Sequence, residues 1–366
     1  MKLYAYPHVV QQEIIRHLTL VDILIFSNCS KNHKQFLQIV GKCCFPKVEK
    51  LVYTSHDTNS LEITEEKKLI IMGRAKRLLI EPESKVGERS PVKMRLFGMD
   101  LMVCFPIDQS KPLTIFCSEE NGDALFRSLH NLIYDLLGST TTYALHTKNK
   151  KYLAKLKHIT YSAHNLDYSE QNIKELEEFI AVSPELVFMD LTGVECGKFL
   201  IAIPKIARIQ SLNINGQGVD TMEIIQTFRG KHLSVVSHGK TDEAVAQFLK
   251  NWKSGEGLNN KHLKSLTLTK TENRGADLNR DIILENLEIK AFDHQEMMLS
   301  VFKAPTVNFF TYGMVQSWKI FSTDTYIVLD SDKQMGVFLL MRDSFTFVHF
   351  NTSEKEFLEK LKKGEI

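Results

Sequence analysis

Long apolar runs are missing from this 366-residue sequence, and so is a surplus of charge of either sign. No stretch approaches the length needed to cross a bilayer, and residues 1–18 hold no unbroken apolar core of the kind that drives secretion. A soluble intracellular chain, cytoplasmic or nuclear, is therefore expected. The 46 Lys and Arg residues nearly cancel the 44 Asp and Glu residues, for a net charge of +2. That balance offers no broad field to a nucleic-acid backbone or an anionic membrane, and neither is expected as a partner. The six cysteines at 29, 43, 44, 104, 117 and 196 include no Cys-x-x-Cys spacing, which excludes a disulfide framework and a tetrahedral metal site. Most of them read as small buried hydrophobes.

Catalytic signatures are equally scarce. The 13 histidines form no HExxH or HxH cluster, and no serine sits in GxSxG. His130 and His349 read as hydrogen-bonded structural residues. The stretch "SHGKT" (Ser237–Thr241) resembles the tail of a phosphate-binding loop, but Ser234 occupies the position where such a loop needs its first glycine. "NGQGVD" (Asn215–Asp220) lacks the third glycine of a dinucleotide fingerprint. Both read as ordinary turns between a strand and a helix. Trp252 and the pair Phe309 and Phe310 read as core. No catalytic residue, cofactor or metal is expected.

What the sequence does have is punctuation. In "YPHVVQQEIIRHLTLVDILIFSNCSK" (Tyr6–Lys31), Pro7 suits the first turn of a helix, and Val10, Ile14 and Leu18 recur at a spacing of four. Thr19 and Asp22 signal the start of a second helix bearing Leu20, Ile23 and Leu24, and Ser30 caps a third with Phe36, Leu37 and Val40 inward. From about Phe45 to Leu113, short β-type runs ("KKLIIMG", "KRLLIEP", "MRLFGM", "LMVCFP") predict hairpins or a small meander. A helix follows over "ENGDALFRSLHNLIYDLLG", with Leu125, Leu129, Leu132, Ile133 and Leu136 in phase and Gly138 as its stop.

Beyond Tyr143 an apolar-any-apolar strand core recurs at Ile159, Met189, Leu212, Leu233, Leu266 and Leu287, with helical returns between several copies. Alternation of this kind encodes a leucine-rich-repeat-like solenoid, with an ordinary open α/β sheet as the alternative. A hairpin over "YIVLDSDKQMGVFLLM", a strand "FTFVHF" and a helix capped by Ser353 and Glu356 close the chain. The expected fold class is α+β or α/β. Three helices fill 1–45, a β-rich connection with one helix fills 46–138, and an irregular α/β solenoid, closed by the hairpin and final helix, fills 139–366. If each repeat strand buries its two flanking residues, the middle ones form an outward polar ladder: Thr160, Asp190, Asn213, Ser234, Thr267 and Glu288.

The opening helices resemble an F-box: a proline ahead of a first amphipathic helix, a short polar break, an apolar second helix, and "CSK" leading into the third. Independently, "TFRGKHLSVVSHGKTDEAVAQFLKNWKSGEGLNNKHLKSLTL" is similar to the type 2 F-box-associated domain of a large nematode-expanded family. Phe248, Leu249, Lys250, Trp252, Gly255, Leu263, Leu266 and Leu268 carry that likeness. The resemblance implies a non-enzymatic substrate receptor of a cullin-RING ubiquitin ligase. Its adaptor surface would be Pro7, Val9, Val10, Ile14, Leu18, Leu20, Ile23, Leu24 and Phe26, bound by an SKP-type adaptor and through it a cullin. The polar ladder is then the candidate surface for an unknown target protein. The alternative is a non-catalytic scaffold whose F-box-like helices are internal core.

Overall fold

A computed structural model of the chain describes residues 5–18, 20–40, 50–55, 61–66, 77–86, 90–105, 113–147, 156–218, 220–237, 241–255, 262–270, 277–292, 301–310, 313–322, 325–331 and 333–363. They belong to two compact units. The first comprises Met1–Ser162 with Glu178–Leu186, and the second Ala163–Glu177 with Val187–Ile366.

The first unit opens with three ten-residue helices, α1 (His8–His17), α2 (Leu20–Cys29) and α3 (Lys31–Val40). Pro7 stands at the N-cap of α1, and its carbonyl accepts from Val10 N and Gln11 N. Ser30 Oγ accepts from His33 N and caps α3 as expected, whereas the Thr19 signal falls outside the described residues. Six strands follow: β1 (Lys50–Ser55), β2 (Leu61–Glu66), β3 (Arg77–Pro82), β4 (Val92–Leu96), β5 (Met99–Cys104) and β6 (Leu113–Cys117). The expected strand in "KKLIIMG" lies outside the described residues. Helix α4 (Glu119–Leu137) then leads to β7 (Thr142–Thr147).

The strand order is β7-β1-β2-β3-β6-β5-β4, and it corrects the simple meander. β1 pairs with β7 and β3 with β6 in parallel, while the remaining neighbours are antiparallel. Parallel partners need a crossover. The β4–β5 hairpin lies between β3 and β6 in the chain, and α4 lies between β6 and β7. The five apolar residues predicted for one face of α4 are all buried, and Gly138 ends the helix at a φ of 73°.

β8 (Tyr161–Asn165) and α5 (Glu170–Val182) each span the boundary between the units. The second unit continues with β9 (Phe188–Thr192), α6 (Lys198–Ala202), β10 (Ser211–Asn215), α7 (Thr221–Thr227), β11 (His232–Ser237), α8 (Thr241–Ser254) and β12 (Ser265–Lys270). β9 to β12 pair in parallel, so Leu191, Ile214, Val235 and Leu268 share one row and Met189, Leu212, Leu233 and Leu266 the next. All eight are buried, as are Ile224, Ile225, Val245, Phe248 and Leu249 of α7 and α8.

After α9 (Arg280–Leu284) come the two-residue β13 (Lys290–Ala291), the β14 (Val301–Phe310) and β15 (Gly313–Ser322) hairpin, then β16 (Thr325–Val328), β17 (Gln334–Leu340), β18 (Ser344–Ser353) and α10 (Glu354–Lys362). β18 pairs antiparallel with β12, and β17, β16 and β13 extend the sheet in that order. Phe292, Tyr326, Val337, Phe357 and Leu361 form the closing apolar cluster. The chain is thus mixed α/β with an open sheet.

Two of the six repeat strands need correction. Ile159 and Thr160 precede β8, which begins at Tyr161. Leu287–Ile289 belongs to no strand: Leu287 N bonds back to Leu284 O at the end of α9, and Asn286 takes a φ of 60° to leave the helix.

Candidate functional site

The first candidate surface lies on α1 to α3. Helix α1 buries Gln11 and Ile15, one position on from the expected stripe, because Gln11 Nε2 donates to Tyr6 O at 2.7 Å and fixes the helix entry. Val9 is left 74% exposed and Val10 and Pro7 are exposed, while Ile14 and Leu18 are half-buried. On α3, Phe36, Leu37 and Val40 are buried but Ile39 is 75% exposed. Helix α2 behaves differently. Ile23 and Leu24 are buried, and Leu24 and Ile25 line a small apolar pocket with Leu78, Leu96, Leu113, Ile115 and Leu129. Phe26 is half-buried, its ring 4.2 Å from His33 and 6.5 Å from Phe36 between centroids. The side chain of Leu20 lies outside the described residues. Ile23 and Leu24 therefore belong to the protein's own core, and an adaptor surface made of all nine positions is not what the helices present. Tyr6 and Ile39 are exposed large apolar residues that the sequence analysis did not single out.

The second surface is the polar ladder. Strand register does bring Asp190, Asn213, Ser234 and Thr267 into one row, which continues to Thr346 of β18. The row is not an open face. Asp190 is 8% and Asn213 5% exposed, Thr346 is buried, and Ser234 and Thr267 are half-buried. The backbone of β14 passes beside β11 and β12. Two neighbours in register pair directly, Asn213 Nδ2 donating to Asp190 Oδ1 at 2.7 Å. Burial pushes the Asp190 carboxyl up to about 7, with the Asn213 hydrogen bond only partly opposing it. Thr346 Oγ1 is buried without a hydrogen-bond partner.

The other two ladder positions stand apart. Thr160 donates from both its N and its Oγ1 to Tyr143 O, ahead of β8. Glu288 is exposed and accepts from Lys253 Nζ at 3.0 Å, which holds its carboxyl below the ordinary value.

His130 sits between Tyr53 Oη at 2.9 Å and Lys157 O at 2.7 Å, and burial lowers it to about 4. His349 Nδ1 lies 3.2 Å from Leu263 O and its Nε2 2.7 Å from Gln334 Oε1. Trp252 is buried with its ring 5.1 Å from that of Phe347. Cys117 and Cys196 are buried, Cys104 is half-buried and Cys29 exposed, and none of these four forms a disulfide. Burial pushes the Cys196 thiol up to about 12, which leaves it protonated and unreactive. No group of three or more metal-ligating side chains occurs among the described residues, and no described helix is long and apolar enough to cross a membrane. The "SHGKT" turn runs from the end of β11 to the start of α8, with 238–240 outside the described residues, and the side chains of Phe309 and Phe310 are likewise outside them.

In comparisons with family models, curated proteins and solved structures, none matches this chain.

Proposed function

We propose that the chain is a non-catalytic substrate receptor of an SKP-cullin-F-box ubiquitin ligase. In this reading α1 to α3 are the F-box, which binds an SKP-type adaptor and through it a cullin. The repeated strand-helix units from β9 to β12 are an irregular leucine-rich-repeat-like domain that holds a target protein. The observation that carries the proposal is the apolar surface the N-terminal helices leave unused. Val9, Val10 and Ile39 stay exposed beside a buried Ile15 and Leu37, and burying such side chains contributes roughly 1.5–3 kcal/mol each. A few of them suffice for an interface once ordering costs are subtracted. The reaction itself would belong to other subunits, since a receptor works by holding its target close to the chemistry.

The experiment is calorimetric titration of the full chain with a purified SKP-type adaptor, alongside a Val9→Asp/Val10→Asp variant. Saturable binding lost in a variant with unchanged unfolding supports the receptor. No binding by the folded wild-type chain rejects it. The scaffold reading then takes its place, favoured by one specific observation: Ile23 and Leu24 of α2 are buried within the first unit.

A further inference from the structure

Among the described residues, the strand β4 has a strand neighbour, β5, on one side only. Phe97 and Gly98 join the two strands at φ of 56° and 78°, the left-handed pair of a two-residue type I′ turn. Asn28 Oδ1 accepts from Phe97 N at 3.2 Å and ties that turn to α2. A turn of this kind is closed by a hydrogen-bonded pair, here Leu96 with Met99, and pairs then alternate along an antiparallel ladder. Met94–Leu101 and Val92–Val103 are therefore bonded pairs, whereas Arg95–Asp100 and Lys93–Met102 are not. The backbone N–H and C=O groups of Lys93 and Arg95 consequently point away from β5. No turn, loop or cap hydrogen bond among the described residues uses them.

The side chains at this edge are as available as its backbone. Lys93 and Arg95 are exposed, and among the described residues neither enters an ion pair. The one carboxylate set against them in register is Asp100, opposite Arg95. On the other face Val92 is 53% exposed.

We infer that the free edge of β4 is a docking site for an extended acidic segment of another protein, which adds as a strand with its carboxylates beside Lys93 and Arg95. Strand addition satisfies the outward backbone groups, and alternate side chains of the added strand supply specificity. A second copy of this chain fits poorly. Antiparallel pairing of β4 with itself sets Lys93 and Arg95 against the same cations of the copy, and like charges directly opposite one another are destabilising. Charged residues on a short edge strand reject like edges; the same two charges admit a strand carrying carboxylates. The inference concerns an edge remote in sequence from Val9 and Val10 and does not rest on the ligase reading.

The test is fluorescence anisotropy of the full-length chain with two labelled hexapeptides, one alternating Glu with Val and one alternating Lys with Val. The acidic peptide is expected to bind saturably, about 2- to 30-fold more tightly than the basic one from two cross-strand charge pairs, and to weaken as salt is raised. Lys93→Pro deletes an outward donor but no ladder hydrogen bond, and should cost at least about tenfold in affinity. Should that variant fail to fold, Lys93→Glu/Arg95→Glu keeps every backbone group and should reverse the preference toward the basic peptide. Equal affinity for the two peptides, no saturable binding, or no reversal in the folded charge-swapped variant overturns the inference. Self-association of the wild-type chain, abolished by Lys93→Glu/Arg95→Glu in sedimentation, also overturns it and assigns the edge to a second copy.

Discussion

Replacing Asp190 by Asn should stabilise the protein at and above neutral pH and leave it nearly unchanged only near about pH 4. Burial raises this carboxyl from 3.8 to about 7. A folded value above the unfolded one means that the native state holds the proton more tightly. The stability this group contributes is complete below the unfolded value and is lost as pH rises through about 7. A shift of about three units at 1.36 kcal/mol each amounts to about 4 kcal/mol between the two limits. Wild-type unfolding alone would not isolate this effect, because His130 and His146 are lowered to about 4 by burial and work in the opposite direction. Their contribution is present above the unfolded histidine value and lost as pH falls toward 4. The difference between variant and wild type removes them. Asn at this position cannot ionise and still offers an acceptor to the Asn213 amide that donates at 2.7 Å. Urea unfolding at a series of pH values should therefore give profiles that converge near about pH 4 and separate by about 2–4 kcal/mol by about pH 8. Parallel profiles across that range would refute the reasoning and mean that water reaches the carboxylate in the folded protein.

Three further outcomes follow from the packing. Val9→Asp/Val10→Asp should change the unfolding free energy by less than about 0.5 kcal/mol, whereas Leu24→Asp, which buries a charge among Leu78, Leu113 and Leu129, should cost more than about 3 kcal/mol in the same urea titration. Gly216→Ala should lower the melting temperature sharply, because a Cβ there would sit 2.0 Å from Gly193 O and 2.8 Å from Cys196 Sγ, while Gly98→Ala, which meets no neighbour, should cost only about 1 kcal/mol for its positive φ. Asp220→Ala and Ser353→Ala remove side-chain acceptors from Glu223 N and Glu356 N and should each cost about 1 kcal/mol by denaturant unfolding.

Periodicity made α1 to α5, α7, α8 and α10 legible, because their apolar residues recur at helical spacing, and Ser30 and Ser353 mark two of the starts. Helices α6 and α9 have only five residues each, too few to display a helical period. Alternation also located Met189, Leu212, Leu233 and Leu266 as one buried row, and by the same logic placed Asp190, Asn213, Ser234 and Thr267 together in another. It could not reveal whether that second row was open. The strand passing beside it, β14, lies more than 30 residues further along the chain, and a window centred on a single strand contains nothing about it. The pairing of β1 with β7 and of β3 with β6 was hidden for the same reason: parallel partners are separated by a crossover, and only adjacent hairpins leave a local signature.

Hydrophobicity also misdirected the choice among the N-terminal helices. Helix α2 is the most apolar of the three, and that is why the fold uses it: Ile23 and Leu24 are buried, and Leu24 lines a pocket with residues of β3, β6 and α4. Helix α1 carries fewer apolar residues but distributes them over two stripes about one residue apart. The inner stripe is Gln11 and Ile15, and the outer one runs from Val10 through Ile14 to Leu18 with Val9 beside it. A polar residue buried in the inner stripe, satisfied by Tyr6 O, turns the outer stripe toward solvent. Among the described residues of these helices, the exposed large apolar side chains are those of Val9 and Val10 on α1 and Ile39 on α3, with Tyr6 just ahead of α1. A substitution at Ile23 or Leu24 of α2 reports on folding instead. Loss of binding after Leu24→Asp would carry no information about an interface, whereas loss after Val9→Asp/Val10→Asp, in a chain that unfolds like the wild type, separates a docking surface from a core.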